Sequence, residues 1–258
     1  MTPPLHIFDF ASRIRHDYVG SSGYGLAYGS HACGDATPTS DLDLVLVGPT
    51  PLTSEAIAPL VSAVRALHNE FDLELDTEVD YEVKLFATFD DAGEAGSLRC
   101  FDIESPPLRV AEVVAEPWFL NSDKFRLRLL LNALTSPHVF LGGDVLSYED
   151  HRHRAVRALA LLALGLHAGS PISIGDALTA VTVGPSGSVG EDFLGYHPSA
   201  QLHSTLRHGL AGLVTEGIIS EIDSTHFQQD PDRTLSAIKQ STATWTSAPG
   251  TMAPVPFN

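Results

Sequence analysis

The chain reads as an α/β (α+β) domain built on a short mixed sheet and followed by an α-helical bundle. Extended apolar or alternating segments at 24–28, 42–47 and 77–89 all fall in its first part, separated by amphipathic helical patterns. From Ser122 onward the long patterns are helical. The expected division is a catalytic domain over 1–118, a helical substrate-binding domain over 119–246 and a Pro-rich tail over 247–258. A ligand cleft between the two domains is expected.

Leu5, Phe8, Ala11, Ile14 and Tyr18 recur at helical spacing, and Gly20-Ser-Ser-Gly23 ends them, which predicts a first helix over 5–18. Tyr24 to Tyr28 is a short strand. A loop rich in Gly, Pro, Thr and Ser leads to a buried strand over Leu42 to Val47, closed by Gly48-Pro49. Thr53 or Ser54 caps the next helix, with Glu55 in its first turn and Ile57, Leu60, Val61, Val64 and Leu67 on one face. Residues 77–89 alternate: Val79, Tyr81, Val83 and Leu85 on one face, Glu78, Asp80, Glu82 and Lys84 on the other. Residues 98–103 add a further candidate strand before Pro106-Pro107. Ser122 caps a helix carrying Phe125, Leu129, Leu130, Ala133 and Leu134 inward, and Ser136-Pro137 stops it. Gly142-Gly143 reads as loop, and Glu149 to Leu166 as a second long helix, apolar all round in its C-terminal half. Residues 170–220 are mixed, with a helix from about Ser199 to Glu216.

The most informative stretch is 28–47, in which the turn Gly29-Ser30 precedes Asp41-Leu42-Asp43 at the head of an apolar run. Side chains of a strand alternate, so Asp41 and Asp43 share a side with alpha carbons roughly 6.6 Å apart, while Leu42 and Leu44 point into a core. Two carboxylates so placed can share divalent metal ions. Beside a Gly-Ser turn they suggest a site for the phosphates of a nucleoside triphosphate.

This pattern resembles the signature of the nucleotidyltransferase superfamily, the fold shared by DNA polymerase beta, CCA-adding enzymes and antibiotic adenylyltransferases. Gly29, Ser30, Asp41, Leu42, Asp43 and Leu44 fill it, with Ser40 standing where an apolar residue is usual. Small-molecule adenylyltransferases often have serine there, which places the resemblance nearest to them. It is strong over 20–90, weak to about 165 and absent beyond. The resemblance implies a third acidic residue on a neighbouring strand, flanked by apolar residues. Asp80, Glu82 and Glu78 all satisfy that pattern, in that order of preference. Asp41, Asp43 and Asp80 are the expected metal ligands for two Mg2+ ions, with Glu82 as a further catalytic candidate. The third carboxylate also suits the role of general base.

Gly29 lets backbone approach the phosphates and the Ser30 hydroxyl can donate to them. Lys124, at the start of the helix after the sheet, is the candidate cation for the triphosphate, with Arg126, Arg128 and Lys84 as other positive groups. The run His151-Arg152-His153-Arg154 is read at the start of its helix, where positive charge opposes the helix dipole. Either an anion lies close to it or it is a solvated first turn. Cys33, in the Gly-Ser loop, is either a reactive thiol or a small filler.

The formal charge of −17, from 15 basic and 32 acidic residues, argues against a long nucleic-acid partner, which needs a basic footprint. A small acceptor that is neutral or positively charged is expected. Cys33 and Cys100 cannot build a disulfide framework, in agreement with a cytoplasmic location. Neither a signal peptide nor a membrane span is expected; the most apolar run, Ala158 to Leu166, is too short to cross a bilayer. The expected activity moves a nucleoside monophosphate, AMP from ATP in the first instance, to a hydroxyl or phosphate of a small molecule. A protein or nucleic-acid acceptor is one alternative, and a non-catalytic, antitoxin-like chain that binds a partner is another. The resemblance also allows a homodimer.

Overall fold

The computed structural model describes residues 5–75, 82–99, 101, 123–167, 169–183 and 195–243. Helix α1 (Leu5–Val19) ends at Gly20, whose N–H returns to the His16 carbonyl. Strand β1 (Tyr24–Tyr28), the short helix α2 (Gly29–Cys33) and strand β2 (Asp43–Gly48) follow. Helix α3 (Ser54–Glu70) buries Leu60, Val64 and Leu67, the inner part of the stripe that its spacing predicts. Then come α4 (Glu82–Leu85), β3 (Phe86–Thr88), α5 (Phe89–Ala95), α6 (Asp123–Thr135), β4 (Val139–Gly143) and α7 (Val145–His167).

The sheet has the order β3-β2-β1-β4. β1 is antiparallel to both β2 and β4, whereas β2 and β3 are parallel, so the sheet is mixed as expected. Both faces are covered. Leu44 and Leu46 point with Ala27 into a core built with Ile7, Ala11 and Ile14 of α1 and Leu60, Val64 and Leu67 of α3. Val45, Val47, Tyr24 and Leu26 point the other way, into a larger core with Leu130, Leu134, Ala155 and Leu159. That second core continues without interruption to Leu206, Leu210 and Ile238 near the end of the described chain.

Several expectations need correction. The expected strand over 77–89 is not one element: 77–81 lie outside the described residues, 82–85 form a helical turn, and the strand is only Phe86–Thr88. Leu85, Phe86 and Ala87 are buried in succession, which breaks a period of two and is what a parallel strand covered on both faces requires. The strand stops because Thr88 caps α5. Its hydroxyl accepts from the Asp91 N–H at 3.1 Å, while Asp91 accepts from the Thr88 N–H at 2.8 Å. Residues 98 and 99 of the candidate strand 98–103 lie in a turn, with Leu98 at φ +58°; 100, 102 and 103 are outside the described residues. Gly142-Gly143 ends strand β4 rather than forming loop alone.

Helix α7 starts at Val145, four residues before the expected Glu149, because Asp144 accepts from the N–H groups of Leu146 and Ser147 at 3.1 and 3.2 Å. His151 to Arg154 therefore lie beyond its first turn, and the expected conflict with the helix dipole disappears. The helical half holds α8 (Ile174–Thr182), α9 (Ala200–Thr215) and α10 (Pro231–Ala243), and also a small antiparallel sheet of order β5-β7-β6. Its strands are β5 (Ile172–Ser173), β6 (Ile219–Glu221) and β7 (His226–Gln229). The tail 247–258 lies outside the described residues. Among the described residues no helix is long and apolar enough to cross a membrane.

Two polar contacts fix α7 to the sheet. His138 donates from Nδ1 to the Ser136 carbonyl at 2.8 Å, so its Nε2 accepts from the Tyr148 hydroxyl at 2.7 Å. Tyr24 and His151 meet through the phenol oxygen and Nδ1 at 3.0 Å. Burial holds both histidines below their ordinary pKa, and the Tyr24 phenol, raised by burial first and by Tyr148 and Asp144 next, stays protonated. A third contact fixes β2. His68 of α3 is 2% exposed; its Nδ1–H donates to the Val64 carbonyl at 2.8 Å, and its Nε2 accepts the Leu42 N–H at 3.2 Å.

Two predictions follow from these buried imidazoles. An unfolded chain protonates His138 and His151 near pH 6.5 while the fold keeps them neutral, so their contribution is complete above that pH and is lost as pH falls below it. Replacing either with Phe flattens the pH dependence of unfolding free energy between pH 7 and 5 by up to about 1.4 kcal/mol per pH unit, read from urea titrations. His68→Leu, which leaves the Leu42 N–H buried and unpaired, loses about 1–3 kcal/mol in the same assay at pH 7, and His68→Gln retains part of it.

Candidate active site

The register of β1 and β2 builds the site. Tyr28 stands opposite Asp43, so the chain that leaves β1 at Gly29 passes directly over the first residue of β2. Gly29 has φ +72°, a conformation that side chains disfavour, and a Cβ there would collide with Oδ2 of Asp43. No residue other than glycine fits without moving that carboxylate. Ser30 follows in the first turn of α2, half-buried.

Asp41 and Asp43 flank Leu42, which is 3% exposed in the core of α1 and α3. Asp43 is the first residue of β2 and Asp41 lies just before the strand rather than on it. Asp43 is on the same side as Val45 and Val47, toward the larger core, yet it keeps 22% side-chain exposure. Its Oδ1 is 3.6 Å from the Lys84 ammonium, itself 15% exposed. The parallel pairing of β2 with β3 explains this meeting, since Leu46 pairs with Phe86 and Lys84 precedes Phe86 by two residues. Lys84 is therefore beside the Asp43 carboxylate, delivered by a helical turn and not by the strand face that alternation predicts.

The loop between α2 and β2 is closed by its own polar groups. The Thr37 N–H donates to Ser40 Oγ at 2.9 Å, the Thr37 hydroxyl lies 3.1 Å from it, and the Ser40 N–H returns to the Thr37 carbonyl at 3.1 Å. Ser40 thus makes the turn that delivers Asp41, a physical reason for serine at that position. His31, buried next to Ser30, donates from Nε2 to the Ser40 carbonyl at 3.3 Å. The Cys33 thiol is exposed, and desolvation first, then the carboxylates of Asp35 and Asp43, push its pKa up. That holds it as a thiol and not a reactive thiolate.

The remaining candidates are placed less centrally. Lys124 is exposed at the second residue of α6. Arg126 is bound to Asp123 at 2.8 Å and lies 3.6 Å from Asp91, tying α6 to α5. Arg128 is buried with its guanidinium 5.3 Å over the Phe101 ring. Glu78 and Asp80 lie outside the described residues, and Glu82 opens α4. Among the described residues no group of three or more His, Cys, Asp or Glu is arranged to hold a metal ion. Asp41 and Asp43 are the carboxylates of the site that the structure describes.

Sequence reasoning passed over His68 and took His31 only as the histidine nearest the chemistry. His68 was legible: it extends the apolar stripe Leu60, Val64, Leu67 by one position, where a polar residue needs a partner inside the core. Lys84 was seen but assigned to the wrong kind of element.

No curated protein and no solved structure matches the chain. Residues 26–105 match a family model, that of the nucleotidyltransferase domain. The match runs from the middle of β1 through α2, β2, α3, α4, β3 and α5, and so takes in Gly29, Ser30, Asp41, Asp43 and Lys84. The stretch that folds β1 and β2 into this site is thus similar to nucleotidyltransferase domains over about a third of the chain.

Proposed function

We propose that the chain transfers a nucleoside monophosphate, AMP from ATP in the first instance, to a hydroxyl or phosphate of a small molecule and releases pyrophosphate. One observation carries the reading: across β1 and β2 the Gly29 backbone closes directly on the Asp43 carboxylate, so a phosphate chain lying on the turn is delivered to the acidic group. A metal between the two is what makes that juxtaposition favourable, since carboxylate and phosphate repel each other.

The residues fit such a metal. Mg2+ takes oxygen ligands, uses one or two protein carboxylates, and completes its shell with water and substrate phosphates. Asp41 and Asp43 supply those carboxylates, and the missing side chain of Gly29 lets the Asp43 carboxylate lie directly against the turn. Two ions are the expected number, with Asp80, or Glu82 or Glu78, as the third carboxylate. When bound, the metal neutralises charge on the attacking and leaving oxygens.

The chain's own groups do the rest. Gly29 admits backbone close to the triphosphate, and the Ser30 hydroxyl donates to it. The attacking oxygen of the acceptor bonds to the alpha phosphorus as the bond to pyrophosphate breaks, and its proton passes to a carboxylate of the acidic segment as general base. Lys84 supplies positive charge beside Asp43, and Lys124 is a second cation for the triphosphate. His31 and His68 hold the backbone on either side of Asp41, at the Ser40 carbonyl and the Leu42 N–H, keeping that carboxylate's backbone in place without reorganisation. The charge of −17 favours a small acceptor over a long nucleic acid, and the chain is read as a cytoplasmic enzyme, with a homodimer allowed.

Calorimetry with each nucleoside triphosphate and Mg2+, paired with pyrophosphate release across a panel of hydroxylated small molecules, tests this. Wild type binds nucleotide in a metal-dependent way, and Asp43→Ala lowers turnover on the order of a hundredfold. Gly29→Ala lowers it as well, with about 1–3 kcal/mol of lost stability from strain. Nucleotide binding that needs no metal and survives Asp43→Ala overturns the reading.

A further inference from the structure

The run His151 to Arg154 resolves into four different environments. His151 faces Tyr24, and Arg154 pairs with Asp150 at 2.9 Å. One turn on, Arg157 forms a forked pair with Glu216, its Nη2 at 2.7 Å. His153 is exposed. Arg152 differs from its arginine neighbours: among the described residues it has no ion pair, and its Nε is buried without a hydrogen-bond partner. The groups that feel its charge, His138 and Tyr148, are not anions. None of the carboxylates among the described residues pairs with this guanidinium.

Arg152 lines a cleft of about 270 Å³ between α7 and α9, together with Val156, Gln201, Ser204, Thr205 and His208. The shape has a cause. Gly209 lets α9 press against α7, where an added Cβ would stand 2.7 Å from the Val156 carbonyl and 2.9 Å from the Ala160 side chain. The cleft lies on the N-terminal side of that close crossing. The Thr205 hydroxyl is spent on the Gln201 backbone carbonyl at 3.0 Å, which leaves the Gln201 amide, Ser204, His208 and the guanidinium as donors. The N-terminal end of α9 adds the positive end of its dipole near Gln201.

We propose that this cleft binds a small organic anion, whose carboxylate or phosphate takes the N–H fork of Arg152 while Ser204 and His208 close around it. A bound oxyanion gives the Arg152 guanidinium the charge-assisted partner that no carboxylate among the described residues supplies. Its volume is just below the usual range for small-molecule sites, so the ligand is smaller than a nucleotide. Both walls belong to helices outside residues 26–105, so the site is independent of the nucleotide reading. It also reverses the expectation of a neutral or cationic acceptor, should the anion be the second substrate.

The test uses inorganic phosphate and malonate as probes, with the Arg152 Nε–H followed by nuclear magnetic resonance and affinity by calorimetry. Both probes shift that resonance in wild type, Arg152→Gln weakens them about tenfold or more, and Arg154→Gln, outside the cleft, leaves affinity unchanged. Arg152→Gln folds with near-normal stability because it deletes an unpaired group. If it does not fold, the wild-type Nε–H signal still decides. The same titrations with saturating Mg2+ and ATP keep their affinity. An unmoved Nε–H, equal binding by Arg152→Gln, or displacement by ATP through Arg152 overturns the proposal, the last because the occupant would then be the triphosphate.

Discussion

The register between β1 and β2 is the constraint on which the site depends. With Tyr28 opposite Asp43, the Gly29 turn lies over a carboxylate; a slip of one residue would send Asp43 toward α1 and α3, among Leu42 and Leu44. An unpaired carboxylate there is expensive, but the apolar pattern alone does not enforce the register, since β2 is buried on both faces. Polar anchors do. His31 binds the Ser40 carbonyl, His68 binds the Leu42 N–H, and the Thr37–Ser40 turn fixes the length of chain between them. The two histidines each satisfy a backbone group in or next to the core, so both contacts are lost if the strand slides.

Charge is placed with similar economy. A net charge of −17 makes a polyphosphate an unwelcome guest unless positive charge is concentrated locally. Lys84 is brought to Asp43 by the parallel pairing of β3, whereas Arg126, Arg154 and Arg157 are occupied by carboxylates elsewhere. His138 and His151 are kept neutral between helix and sheet, where a charge would be costly. Among the described residues, Lys84 thus lies beside the Asp43 carboxylate, and Arg152 lines a cleft without an ion pair.

Much of this was legible in the sequence, and the failures have physical causes. α1, α3, α6 and α9 declare themselves through apolar residues at helical spacing with a stop or cap, and β1 and β2 as short apolar runs bounded by Gly-containing turns. The strand at 77–89 misled because alternation of Glu78, Asp80, Glu82 and Lys84 is a local pattern, overridden at 82–85 by the helical turn and at Thr88 by a capping box with Asp91. The Thr88–Asp91 and Ser173–Asp176 boxes were there to be read. β4 was missed because Val139-Phe140-Leu141 is too short to separate strand from loop without its partner β1. Gly29, Ser30, Asp41 and Asp43 stand out as candidates from spacing alone. The contact between Gly29 and Asp43, and the anchoring by His68, depend on pairings across the sheet that no local pattern encodes.

The most direct test maps a paramagnetic metal on the folded protein. Isotope-labelled chain titrated with Mn2+ and ATP is predicted to lose amide signals first at Gly29, Ser30 and Asp41 to Asp43, and to keep those signals in Asp43→Ala. Uniform loss across the acidic surface, or loss that is unchanged in Asp43→Ala, would contradict the account.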